Sequence, residues 1–176
     1  MLGIAVGWIA SNAAEWLIHK HILHGLGKRK QSFWSFHWHE HHRASRRNGF
    51  IDDDYHRGLF GWHAQTKEAL GLVGLGVAVT PLLRAFPFFV GTVYACGLNY
   101  YRVHRRAHLD PDWAREHLAW HYDHHMGPDQ HANWCVTHPF FDHVMGTRKP
   151  YVGTEREADD VARREAFLRR RAAAAA

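Results

Sequence analysis

The sequence predicts an all-α protein, an integral membrane helical bundle of short apolar spans with a histidine-rich cap on one side. Three observations lead there. Apolar residues gather into runs at residues 2–18, 69–83 and 86–101, with the polar residues between them. Ten of the 18 histidines fall into four short groups, His19/His24, His37/His41/His42, His104/His108 and His121/His124/His125, each spaced as on a helix or at a helix end. Lys and Arg sit beside the apolar runs, at residues 28–30, 43–47, 102–106 and 169–171, while the turn between the second and third runs holds only Arg84.

At 176 residues the chain has the length of one domain. A mean hydropathy of −0.43 conceals the blockwise pattern, because 46% of the residues are hydrophobic and 14% aromatic. The net charge of +5 invites a nucleic-acid partner. No zinc-finger spacing, aromatic RNA-binding strand or helix-turn-helix pattern accompanies it, so nucleic acid is set aside. Basic loops beside apolar spans follow instead from the positive-inside rule. Cys96 and Cys135 are too few for a disulfide framework or a thiolate zinc site, and both are read as packing residues.

In chain order, residues 2–18 form a retained helix that runs into the first histidine pair and stops at Gly25-Leu26-Gly27. Residues 31–47 are expected to be a cytosolic helix, and residues 48–61, with Asn48-Gly49 and three aspartates, a loop. Residues 69–83 and 86–101 read as a helical hairpin turning at Arg84-Ala85-Phe86-Pro87. Each limb is about 23 Å long as helix, against a hydrocarbon core of about 30 Å. The hairpin therefore either just crosses or dips and returns, and full crossing is the expectation. Residues 110–125 are expected to be helical and 127–151 irregular. A membrane domain over 1–155 is followed by a charged helix or tail over 156–176.

One ion cannot use ten imidazoles, since zinc takes about four ligands and other first-row ions up to about six. Two ions with about five each would use them all, which makes a dinuclear, all-nitrogen centre the expected content of the cap. In the second group, His37 and His41 stand one helical turn apart and are taken as ligands, with His39 as the alternative. His21, His56, His63, His117, His131, His138 and His143 have no partner at useful spacing. Glu15 and Asp123 are candidates to orient an imidazole from behind. Asn133 is a candidate outer ligand, and Asp142 is expected to fix the final loop.

The order of these boxes, His19-x4-His24, His37-x3-His41-His42, His104-x3-His108 and His121-x2-His124-His125, resembles the membrane fatty acid hydroxylase/sterol desaturase superfamily. Glu15-Trp16, Asn133-Trp134 and Phe141-Asp142-x3-Gly146-Thr147 support the resemblance, which covers residues from about 8 to 151. Small bacterial carotenoid hydroxylases share the Glu-Trp-x-x-His opening. The second box departs from the commoner pattern, which would need a histidine at position 38, where Trp38 stands.

The resemblance implies an O₂-dependent lipid hydroxylase using two iron ions, with zinc able to occupy the same ligands on purification. It also implies an external electron donor such as a ferredoxin or cytochrome. The substrate would be a fatty acyl, sphingolipid, sterol or carotenoid chain. The active site would face the cytoplasm, from the inner membrane if the source is bacterial. Two non-oxygenase alternatives stand beside it: a haem protein using paired histidines and a membrane metal carrier or transporter.

Overall fold

The computed structural model describes residues 1–175. Among them the fold is all helical, in the order α1 (Leu2–Leu17), α2 (His42–Arg47), α3 (Ala64–Val79), α4 (Pro87–Leu109), α5 (Pro111–His117), α6 (Ala119–Met126), α7 (Phe140–Val144) and α8 (Glu155–Ala175). Two π-helical stretches interrupt this order. Ile18–Leu26 continues α1 without a break, and His37–His41 leads into α2. The helix expected over residues 31–47 is thus a series of turns followed by a π stretch and a short α-helix. The one expected over 110–125 is broken at Leu118 into α5 and α6.

α1 and α4 run parallel and in close contact, because two glycines of α1 remove the side chains between them. A Cβ on Gly7 would lie 2.8 Å from Thr92 Cβ and 3.0 Å from the Phe89 carbonyl oxygen, and one on Gly3 would lie 3.2 Å from Phe88 Cβ. Small residues four apart let two helix backbones approach in this way. α3 runs antiparallel to α4, tied at one end by Thr80 Oγ1 and Tyr94 Oη at 2.8 Å and at the other by Tyr101 Oη donating to the Gln65 side-chain oxygen at 2.7 Å. The parallel register brings the end of α1 level with His104 and His108 of α4. The polar side chains of α1 hold the 133–141 loop beside it: Asn12 Nδ2 donates to the His138 carbonyl, and Glu15 accepts from the Val136 and Thr137 amides.

The hairpin is present, with α3 leading through a 3₁₀ turn at Thr80–Leu82 to Pro87 at the start of α4. Its first limb is 16 residues, about 24 Å. No helix among the described residues is long and apolar enough to cross a membrane, so the expected full crossing has no helix to make it. One end of the molecule nevertheless presents a broad apolar surface. Leu2, Ile4, Val6 and Ile9 of α1, Val73 and Val77 of α3, and Leu82, Leu83, Phe86 and Phe88 at the hairpin tip are all exposed.

The opposite end has a polar centre. Its apolar core is small, with Phe50, Ala107, Ala114 and Leu118 in one group and Trp16, Trp134 and Cys135 in another. Between them lie ten buried histidines.

Candidate metal centre

The ten histidines of the four boxes are all buried and converge into two groups. His19, His24, His37, His42 and His124 form one, and His41, His104, His108 and His125 the other; within each group one ring nitrogen per residue lies within 4.8 Å of all the rest. His121 stands at the edge of the second group, with its Nε2 3.1 Å from His108 Nε2 and its ring 4.7 Å from that of His125.

The π stretches explain how the boxes divide. Residues five apart on an α-helix point about 140° away from one another. The i→i+5 hydrogen bonding of a π-helix returns them to one face. His19 and His24 meet this way, with ring centroids 5.1 Å apart, and so do His37 and His42, at 4.8 Å. His37 and His41, both expected as ligands from their one-turn spacing, enter different groups, since His41 turns to the second. In the same way α6 divides its histidines, sending His124 to the first group and His121 and His125 to the second. His104 and His108 on α4, and His121 and His125 on α6, are each four apart on a regular helix and share the second group as the α-helical spacing implies.

The imidazoles are held from behind. Nδ1 donates to a carbonyl in His19 (Trp134, 2.6 Å), His124 (Ala132, 2.7 Å) and His108 (Phe50, 2.8 Å). His42 Nδ1 donates to Gln130 Oε1 at 2.9 Å, and His41 Nδ1 to Asp52 Oδ2 at 2.7 Å. His104 Nδ1 lies 2.8 Å from Glu68 Oε1, and Tyr55 Oη donates to the other oxygen of the same carboxylate. A histidine bonded through one nitrogen to an acceptor presents the lone pair of the other, the arrangement that orients metal-ligating imidazoles.

That bonding sets lone pair against lone pair. With the proton of both His42 and His124 on Nδ1, their Nε2 atoms can only accept, yet they stand 3.2 Å apart. His24 Nε2 closes the triangle at 3.0 Å from His42 and 3.2 Å from His124. Nitrogens sharing one ion at about 2.1 Å would stand about 3.0 Å apart at right angles and about 3.4 Å apart at the tetrahedral angle, and the three spacings fall within that range. In the second group, His41 Nε2, His104 Nε2 and both ring nitrogens of His125 are buried with no hydrogen-bond partner. Burial drives the His42, His108, His121 and His125 imidazoles well below their ordinary range and His124 down to about 3, with the neighbouring imidazoles pushing the same way. Neutral imidazole is the form that ligates metal. The residues present fit metal ions, and the buried groups can hold them.

Other candidates take different places. His39 lies outside both groups, its Nε2 against the Lys28 carbonyl at 3.1 Å. Asn133 is not aimed at either group, since its Nδ2 donates to the Lys149 carbonyl and its Oδ1 accepts from the Lys149 amide and Arg148. Glu15 and Asp123 orient no imidazole. Glu15 is occupied by the 136–137 backbone, and Asp123 by the Val152 amide and an ion pair with Arg148 at 2.6 Å. Asp142 does brace its loop, accepting from the Trp134 and Cys135 amides. Burial pushes the Cys135 thiol up, away from a thiolate. His21, His56, His117, His131, His138 and His143 are exposed, and buried His63 faces the Gly58 carbonyl at 3.0 Å.

The acceptors that hold the rings were missed by sequence reasoning. Glu68 carried a usable signal as the last acid before the apolar stretch of α3. Asp52 lay hidden in a run of three aspartates, Gln130 gave no sign, and backbone carbonyls have none to give. One of those carbonyls belongs to Phe50, a non-glycine residue at φ +84°. Such a conformation is costly for a bulky side chain, and here it delivers the acceptor for His108.

An apolar cavity of about 280 Å³ reaches the first group. Ile18 and Ile22 of the π extension, Leu72 and Leu75 of α3 and Val93 of α4 line it, and His19, His37 and Glu68 share its wall.

Compared with known proteins, the chain matches no family model, no curated protein and no solved structure.

Proposed function

We propose that this protein is a membrane-embedded, O₂-dependent lipid hydroxylase whose ten box histidines hold two metal ions. The observation that carries the reading is the apolar cavity with imidazoles in its wall. Metal groups at the surface would suit storage or transfer of the ion, whereas an aliphatic pocket beside a buried group suits attack on a hydrocarbon. Two iron ions at these ligands would supply activation of O₂, which zinc, having no redox chemistry, would not.

The chain's own residues do the rest. Ile18, Ile22, Leu72, Leu75 and Val93 bind the chain by removing apolar surface from water and exclude water from it. His19 and His37 set the bound chain beside the first group, and Glu68 connects the cavity wall to His104 of the second. One atom of O₂ enters the C–H bond as hydroxyl and the other leaves as water, with electrons from a separate soluble donor and protons from solvent.

The exposed apolar end supports seating in a bilayer. The parallel α1 and α4, with the short hairpin, would dip from one face and return, leaving the histidine groups at that face. By the positive-inside rule that face is cytoplasmic, the side that supplies reductant.

The test is metal analysis of protein purified without air, then lipid profiling of a host that expresses it. Bound iron together with new hydroxylated lipids is the expected outcome, with His124→Ala lowering the bound iron by the share of the first group and losing the new lipids. Metal that exchanges reversibly with no O₂ consumption would replace this reading with a metal carrier, and a strong Soret band would replace it with a haem protein.

A further inference from the structure

The cavity beside the first histidine group has a thin wall. Between the turn preceding the second π stretch and α3, that wall is the Trp34 indole lying against Gly71. A Cβ on Gly71 would stand 3.2 Å from Trp34 Cζ3 and 3.4 Å from Cη2, so the ring rests on bare helix backbone. On the outer side of this wall lies a second apolar hollow of about 300 Å³, lined by Phe33, Trp34, Leu70, Gly71, Gly74 and Leu75. Trp34, Gly71 and Leu75 line both spaces.

The outer hollow opens onto the apolar side of α3. Leu70, Val73, Gly74 and Val77 recur at intervals of three and four, which makes one stripe along the helix. The three side chains among them are exposed. At the rim, Phe33 is 44% exposed and Trp62 69%, with their rings 6.0 Å apart. Exposed aromatics of this kind belong at the boundary between lipid and water. A ligand reaching the cavity through this wall would stay in apolar surroundings throughout.

We infer that Trp34 is a side door: the aliphatic tail of a bilayer lipid passes from the outer hollow into the cavity when the indole swings off Gly71. The inference rests on the proposed lipid reading of the cavity and adds the route and the residues that control it. Glycine at 71 gives the closed door its seat, and any larger residue there would occupy the passage itself. The route itself is apolar: Phe33, Leu70, Gly74 and Leu75 surround the outer hollow, Trp34 and Gly71 form the wall, and Leu72, Leu75 and Val93 line the cavity, whose polar residues include His19, His37 and Glu68.

The test follows uptake of cis-parinaric acid from phosphatidylcholine vesicles into the full-length protein by energy transfer from its tryptophans. Eight are present, so the signal survives loss of one. Trp34→Ala should speed uptake about tenfold, the change given by removing about 1.4 kcal/mol of barrier, and Trp34→Phe should fall between. Gly71→Leu should slow it by a similar factor. Metal content and helical circular dichroism report whether each variant is folded. Unchanged rates in Trp34→Ala and Trp34→Phe, with the probe still bound, would overturn the door while leaving the lipid cavity standing. Failure of the unaltered protein to bind the probe would overturn both.

Discussion

At His124 the two ring nitrogens have separate tasks: Nδ1 is fixed by the Ala132 carbonyl, and Nε2 meets those of His24 and His42. His124→Ala should therefore remove metal from the first group and abolish activity, whereas exposed His131→Ala should be mild, as metal analysis of the two proteins would show. The same comparison separates His37→Ala, which should lose metal, from His39→Ala, which should keep it. Replacing an acceptor instead of a ligand should act through affinity. Asp52→Asn or Glu68→Gln should weaken metal binding by about 10–100-fold, the usual effect of removing an outer partner, measured by chelator competition. The depressed imidazoles also fix a pH dependence. Above about pH 6.5 they are neutral both folded and unfolded and contribute no pH slope. Below it the unfolded chain takes up protons that the folded protein refuses, so stability is lost progressively as pH falls toward the folded value near 3 at His124. Thermal melts of metal-free protein should be flat above that point and fall below it; a flat profile down to pH 4 would contradict the burial.

Among the elements, the π stretches decide which imidazoles meet. They were not legible in the sequence, because a five-residue offset reads as a poor α-helical pair and nothing in composition announces i→i+5 bonding. The regular box on α4 was legible, because its four-residue spacing needs only an α-helix. The apolar runs of α1, α3 and α4 were legible too, while their lengths as helices were read less well. α4 continues unbroken from Pro87 through both of its histidines to Leu109, and the break at Leu118 was not foreseen. The close approach of α1 to α4 makes its own prediction. Gly7→Val would push a side chain against Thr92 and the Phe89 carbonyl, and overpacking of this kind costs about 1–3 kcal/mol. Because α1 carries His19 and His24, a lowered melting temperature should come with lowered metal occupancy in the first group. Full occupancy with a normal melting temperature would show that the contact is not what sets α1.

For the whole molecule, ten imidazoles share the interior with a hydrophobic core that holds few aliphatic side chains, where a domain of this size ordinarily places many. Burying so many polar rings with unpaired nitrogens is costly, and bound ions would offset that cost, coupling metal binding to stability. The convergence of the boxes was foreseeable from their number. The carbonyls, carboxylates and amide behind them were not, because they come from loops and turns whose placement depends on the finished fold. Orientation in the membrane is the other whole-molecule expectation. In a Cys96→Ala background, Arg84→Cys should be protected from an impermeant reagent applied outside if the hairpin is re-entrant, with a reporter after Ala176 behaving as cytoplasmic. A reporter on the opposite side would overturn the proposed electron supply.

The central claim is that two separate histidine groups each hold an ion, and metal quantification on three proteins tests it most directly. The unaltered chain should carry about two ions, one per group. His124→Ala should lose the ion of the first group and retain the other, and His108→Ala should do the reverse, with the two occupancies distinguished by spectroscopy of cobalt-substituted protein. A folded chain that binds no metal, or a His124→Ala protein that keeps its full complement, would contradict the account.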